Sequence, residues 1–354
     1  MASKTIRSRE ESVRVVGVPA VLIFALLISI VSGVAFGSQD IALADVIAVV
    51  AARAGMGDAL VDETTARIVW DLRLPRVMLA AIVGGGLSII GVAMQTLVRN
   101  PLAEPYILGI SGGAATGASL FYLGFLPPIL SKAFSMPLAA FAGGFVSISI
   151  VYLVARSGSS ISVARLLLAG VAMSALMGAL TALITFASPE PNKLRAVLFW
   201  LQGSLSGTQW DLVVLPAMAS ALGVIALMAL SRPLDAMLLG EEAAFSLGVP
   251  TELVKRVLIV LAALVTGSLV ASSGAIGFVG LIIPHIVRFF TGVTHRRLIP
   301  GSFVLGGTFL IWADVAARML IPAQELPVGA VTALCGVPFF LFLLRRKQYR
   351  FQTT

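Results

Sequence analysis

Ten long apolar runs constrain this chain more than any other feature. They fall at 15–36, 77–98, 105–126, 134–155, 163–187, 212–230, 257–273, 275–292, 300–320 and 327–344. A helix crosses the hydrocarbon of a bilayer with roughly 20 apolar residues. Only 12% of the residues are charged and 58% are hydrophobic, where a soluble domain carries roughly 25% charged residues. No aqueous core built from 354 residues would hold that many apolar side chains, so lipid has to be the solvent. In lipid each backbone polar group must be satisfied internally, which leaves helices or a closed barrel. The runs show no alternation of period two, so they read as helices. The expected fold class is all-α: a polytopic membrane protein of about ten transmembrane helices, forming one domain over residues 1–354. The third run is rich in Gly and Ser. The seventh and eighth are parted only by Ser272-Ser273-Gly274. Those three are the least helix-like.

A net charge of +8 and a pI near 10.2 would suit a nucleic-acid partner. Membrane proteins, however, collect Lys and Arg in their cytoplasmic loops. With the N-terminus inside and the runs alternating, 17 of the 25 Lys and Arg fall inside and 8 outside. That asymmetry predicts two cytoplasmic termini and an even number of spans, with no role for nucleic acid. The first run is too long for a signal-peptide core and reads as a retained helix. Cys335 is the single cysteine, so an intrachain disulfide is excluded.

None of the five lysines follows a glycine, so the chain lacks the G-x-x-x-x-G-K-[ST] loop that cradles nucleotide phosphates. If ATP drives it, another polypeptide binds the ATP and Mg, and no cofactor is expected in this chain. His285 and His295 are the only histidines and lack the companions of a zinc site. An intramembrane histidine is a functional candidate by default, although packing or hydrogen bonding explains His285 as simply. Gly109-Ile110-Ser111-Gly112 matches the nucleophile signature of intramembrane serine proteases, with His285 as the base on offer. Asp314 is the best carboxylate for an ion-coupled secondary transporter. Both rivals rest on short or single-residue signals in a chain rich in Gly and Ser.

Three segments carry more. Arg73 and Arg76 flank Pro75 at the mouth of the second run, which ends in the break Arg99-Asn100-Pro101-Leu102-Ala103-Glu104-Pro105. A run spaced by Gly109, Gly113 and Gly117 follows; small residues on one face let helix backbones approach closely in lipid. The inner loop at about 231–256 holds Pro233, suited to a helix start, and Gly248 before Pro250, suited to a left-handed stop. It predicts a short helix, a sharp corner, and a second short helix from Thr251. A merely solvated connector would not need Leu238, Leu239 and Phe245. The inner loop Arg156-Ser157-Gly158-Ser159-Ser160-Ile161-Ser162 is small and polar, with one Ile.

These segments resemble the FecCD-type permeases, the iron-chelate and cobalamin permease family of binding-protein-dependent ABC importers. LLGEEAAFSLGV (238–249), SSGAIGFVGLIIPHIVR (272–288) and ADVAARMLIPAQELPVGAVTA (313–333) extend the resemblance over nearly the whole chain, in the family's order. The resemblance implies the type II ABC importer permease fold, in the inner membrane of a bacterium or archaeon. It implies a dimer with a second copy or close homologue, two ABC ATPase subunits below, and a periplasmic or lipid-anchored binding protein above. It implies docking of that binding protein on Arg73, Arg76 and Arg318. It implies ATPase coupling through Leu239, Gly240, Glu241, Glu242, Ala244 and Gly248. It implies a cytoplasmic gate at Ser159, Ser160 and Ile161. An iron chelate, either a ferric siderophore or haem, is the expected cargo. Cobalamin stays open, since Leu102-Ala103-Glu104-Pro105 also looks cobalamin-like.

Overall fold

The computed structural model describes all residues except 1, 38, 58–60, 159, 189, 322–323 and 346–354. At 2–16, 133 and 344 it describes the backbone alone. Each of the ten apolar runs contains a helix. In chain order these are α1 (Ala2–Ala35), α4 (Leu74–Val98), α5 (Ile110–Tyr122), α7 (Met136–Ala155), α8 (Val163–Phe186), α10 (Trp210–Ala229), α13 (Thr251–Ser273), α14 (Val279–Thr291), α15 (His295–Met319) and α16 (Val328–Arg345). Among the described residues, seven helical segments are long and apolar enough to cross a bilayer. Of the three least helix-like runs, the seventh forms the 23-residue α13 and the other two differ. The third and eighth yield helices of only 13 residues, α5 and α14. Extended or 3-10 backbone at 99–109 and 274–278 completes those passes.

α4 is the axis of the bundle. It is apolar on every side, and such a helix is buried on every side: 89% of its spanning window is enclosed. Packing this tight needs absent side chains. A Cβ on Gly84 would overlap the Gly306 carbonyl of α15, and one on Gly91 would overlap the Gly280 carbonyl of α14. The Gly109, Gly113 and Gly117 face lies against α7 and α8, where Gly113 and Gly117 meet the Gly143 and Ala139 carbonyls. On α4 two buried hydroxyls bond back to their own helix, Ser88 to Gly84 O at 2.7 Å and Thr96 to Val92 O at 2.9 Å.

The segment at 37–72, between the first two apolar runs, contains α2 (Leu43–Arg53) and α3 (Glu63–Arg67). From α3 the chain passes through a π turn, Ile68–Arg73, directly into α4. Pro75 has no N–H for the helical ladder, and a wider turn upstream absorbs the mismatch. The turn leaves Trp70 O available, and Trp210 Nε1 donates to it at 3.0 Å. Between α5 and α7 lies α6 (Pro128–Ala133), and between α8 and α10 lies α9 (Pro191–Leu201). The second short helix expected from Thr251 is instead the start of α13 itself. The two short helices of this loop are α11 (Ser231–Met237) and α12 (Glu241–Ser246), parted at Gly240. Gly240 has φ 115° and ψ 156°, which only glycine adopts readily.

Candidate functional site

At one end of the bundle, α11 and α12 lie side-on beneath α13. α12 closes with paired turns: Gly248 N–H donates to Phe245 O at 2.9 Å and Val249 N–H to Ala244 O at 3.0 Å. Gly248 takes the left-handed φ of 83° that this motif requires. Leu234, Met237 and Ala244 turn inward and are buried. Leu239, Phe245 and Leu247 point away and are 69%, 72% and 66% exposed. Glu242 is exposed beside them and Glu241 half-buried. Of the six residues expected to couple to an ATPase, Leu239, Glu242 and Gly248 therefore sit on the free surface. Gly240 and Glu241 are intermediate, and Ala244 faces the body of the protein.

The inner hairpin, Arg156–Ser157 against Ser160–Ile161, lies at the same end. Ser160 is exposed at its tip, Ile161 is buried, and Ser159 lies outside the described residues. The backbone of Ile161 is held twice. Its N–H donates to Glu252 Oε2 at 2.9 Å, and its carbonyl accepts from Lys255 Nζ at 3.1 Å. Lys255, only 2% exposed, also lies 2.6 Å from Glu241 Oε1 and 2.5 Å from Glu252 Oε1. One ammonium group thus ties α12, the base of α13 and the hairpin together. A second tie runs beside it. Asp235 of α11 accepts from His295 N at 2.9 Å and lies 2.6 Å from His295 Nδ1, while His295 Nε2 meets Thr96 Oγ1 of α4 at 2.8 Å. Sequence reasoning missed Lys255, Asp235 and His295. The one available signal was Glu252 three residues before Lys255 in the first turn of an apolar helix, a spacing that makes neighbours.

At the other end the three arginines gather around the close of α1. Arg73 Nη1 donates to Val34 O and Ala35 O at 2.9 Å, and Nη2 to Gln39 O at 2.5 Å. Arg318 donates to Gly33 O at 3.0 Å and Phe36 O at 3.2 Å. The last carbonyls of a helix have no partner within it, and these guanidinium groups supply one. Arg76 grips Asp314 through Nε and Nη2 at 3.0 and 2.9 Å and reaches Glu325 at 3.0 Å. Arg318 shares Asp314 at 3.1 Å. Asp314 is 1% exposed, whereas the Glu325 side chain is 41% exposed. Asp314, read from sequence as an ion-coupling carboxylate, is committed to two arginines here.

Between the ends, the two non-helical segments meet. Glu104 Oε1 accepts from Phe278 N–H at 2.6 Å, and the Tyr106 hydroxyl bridges the carbonyl and N–H of Ile276 at 2.9 and 3.0 Å. Irregular backbone at membrane depth survives only where protein satisfies it, and these two side chains do so. His285 packs edge-on against Phe339. Among the described residues no three His, Cys, Asp or Glu gather as a metal site would.

The model of the FecCD transport family matches residues 22–346. The cobalamin import system permease protein BtuC of Halobacterium salinarum is 42% identical over 82% of this chain and 76% of its own length. The hemin transport system permease protein HmuU of Yersinia pestis is 41% identical over 79% of this chain and 84% of its own. The iron(3+)-hydroxamate import system permease protein FhuB of Bacillus subtilis is 38% identical over 81% and 73%. A solved inward-facing conformation of a metal-chelate type ABC transporter superposes with a TM-score of 0.80 at 30% identity, covering 93% of this chain and 98% of that one. A multi-pass, all-helical chain with this motif order, matched along nearly its whole length, belongs to the FecCD transport family, as a permease subunit of an ABC importer.

Proposed function

We propose that this permease carries an iron chelate, a ferric siderophore or haem, across the cytoplasmic membrane with both termini on the inner side. ATP hydrolysis on a separate ABC ATPase supplies the work, a second permease copy or close homologue completes the path, and a binding protein delivers the cargo. The Lys255 relay is the observation that carries the reading. Leu239, Phe245 and Leu247 offer an exposed apolar face, uncovered by the described residues and fit for a groove on an ATPase. Lys255 joins the helix behind that face to the hairpin of Ser160 and Ile161. A push on α12 therefore reaches the hairpin through ion pairs and hydrogen bonds, without a flexible linker between them. Movement of one element against another at such contacts is the usual form of a switching transition.

Relatives named for hemin, iron hydroxamate and iron dicitrate support the iron chelate. Cobalamin is the second reading, supported by the relatives named for cobalamin or vitamin B12. Proteoliposomes containing the permease, its ATPase and its binding protein decide between them. The expected outcome is ATP-dependent uptake of a ferric siderophore or haem and none of cobalamin; uptake of cobalamin alone reverses the assignment. ATP hydrolysis by the purified permease without its ATPase would remove the two-polypeptide model.

The docking role of Arg73, Arg76 and Arg318 is part of the same proposal, in a modified form. Arg76 and Arg318 face Asp314 and Glu325, and Glu325 is the exposed carboxylate. A carboxylate of the binding protein would replace Glu325 on Arg76 rather than meet an unoccupied guanidinium. Asp314 and the α1 carbonyls hold the arginines in position for that exchange.

A further inference from the structure

We propose that the permease binds an anionic phospholipid in a groove between α1, α14 and α15, at the end of the bundle that carries α11 and α12. The groove encloses about 640 Å³. Its apolar floor comes from Val18, Pro19, Leu22 and Ile23 of α1 and from Pro300, Gly301 and Val304 of α15. These positions recur at helical spacing, so each helix presents one stripe to the groove. Its rim is cationic: Arg296 and Arg297 are exposed on the first turn of α15, and Arg288 lies half-buried at the close of α14. Phe289 and Phe290, 86% and 56% exposed, stand beside the rim with their rings in edge contact.

The occupant follows from that division. An apolar slot between membrane helices takes an acyl chain, and three guanidinium groups at its mouth match a phosphodiester, which arginine binds through paired hydrogen bonds. Basic pockets between membrane helices are the usual sites for anionic headgroups. A zwitterionic lipid would fill the same slot but would bring its own cation to the arginines. A free anion would meet the arginines but leave the slot empty. Chain and charge together select phosphatidylglycerol or a lipid of that class. The inference does not depend on the cargo. It needs only that the chain spans a bilayer.

The test is native mass spectrometry of the full-length permease, alone and with its ATPase. The protein is exchanged from detergent into mixtures of dioleoyl-phosphatidylglycerol and dioleoyl-phosphatidylcholine. The wild type should retain phosphatidylglycerol over phosphatidylcholine, and Arg296→Gln with Arg297→Gln should reduce that preference about tenfold. Arg296→Lys with Arg297→Lys should keep most of it. Val304→Trp, which fills the slot and leaves the arginines in place, should lower retention of both lipids, so the inference does not hang on one variant's folding. Equal retention of the two lipids by the wild type overturns the proposal. So does an unchanged preference in the Gln variant, or glycerophosphoglycerol without chains binding as well as the whole lipid. Retention that vanishes when the ATPase is present would assign the groove to protein, and would also overturn it.

Discussion

Lys255 Nζ donates to the carbonyl of Ile161 at 3.1 Å across 94 residues of sequence, while the same group pairs with Glu241 at 2.6 Å. The base of one spanning helix is therefore the joint between a surface helix and an inner hairpin. Lys255→Met keeps the length of the stem and removes the charge. The two glutamates are partly exposed and can turn to water, so the fold should lose only about 1–2 kcal/mol. The link from α12 to the hairpin should be cut, leaving only Glu252 on the Ile161 N–H. In proteoliposomes with the ATPase and binding protein, cargo moved per ATP hydrolysed should fall about tenfold, with basal hydrolysis retained. Wild-type coupling in Lys255→Met would show that the relay transmits nothing.

Gly248 has φ 83° and nothing within 4 Å of where a Cβ would sit. Substitution there strains the backbone alone. Gly248→Val should cost the corner roughly 1–2 kcal/mol and re-aim α12, uncoupling transport while membrane insertion stays normal. Gly248→Asn, which tolerates the left-handed region better, should recover much of the activity. If Val and Asn transport equally well per complex, the corner does not set the position of α12.

Leu239→Asp combined with Phe245→Asp places two charges on the exposed face and touches no internal contact of the bundle. Co-purification of the ATPase should drop by more than tenfold, because buried aromatic and aliphatic anchors dominate interfaces of this kind. Chromatographic behaviour of the permease itself should not change. An ATPase that still co-purifies would move the docking surface elsewhere.

Asp314 neutralises two buried guanidinium groups at once. Asp314→Asn leaves Arg76 with Glu325 and leaves Arg318 with backbone carbonyls only. Removing one partner from a buried ion pair costs about 3–5 kcal/mol. The unfolding midpoint in detergent should fall clearly. A variant as stable as the wild type would mean that the cluster is better hydrated than its 1% exposure indicates.

Glu325→Gln addresses the exposed partner. Its pair with Arg76 is partly open to water, so stability should change by less than about 1 kcal/mol. Release of Arg76 should make the binding protein associate faster at low ionic strength, with the advantage fading as salt is added. An unchanged association rate would confine Arg73 and Arg318 to closing α1 and Arg76 to holding Asp314.

Much of the fold was legible in the sequence because its causes are local. Lipid forces each long apolar run into a helix regardless of its neighbours, so all ten runs contain one. Gly248 before Pro250 admits few backbone conformations, and the expected left-handed corner is present. The loops were less legible. At 37–72 the chain is largely helical because α2, α3 and the π turn pack against the bundle and Trp210, a contact 140 residues away. The shortening of the third and eighth runs depends on Glu104 and Tyr106 meeting 276–278, which neither segment encodes alone.

The sequence by itself determined the solvent, the helices, the corner at Gly248 and the family. Only the tertiary structure decided what the charges do. The resemblance implied docking on Arg73, Arg76 and Arg318, and the packed bundle adds the partners they already hold: Arg76 meets Asp314 across 238 residues and the other two close α1. Ile161 read as the tip of a gate, yet its side chain is buried and its backbone holds the hairpin to α13. Ala244 read as part of a docking face, and α12 turns it inward. A backbone torsion or a transfer free energy belongs to a residue and its immediate neighbours, so sequence carries it. An ion pair belongs to the relative height and rotation of two helices, and only the packed bundle fixes those.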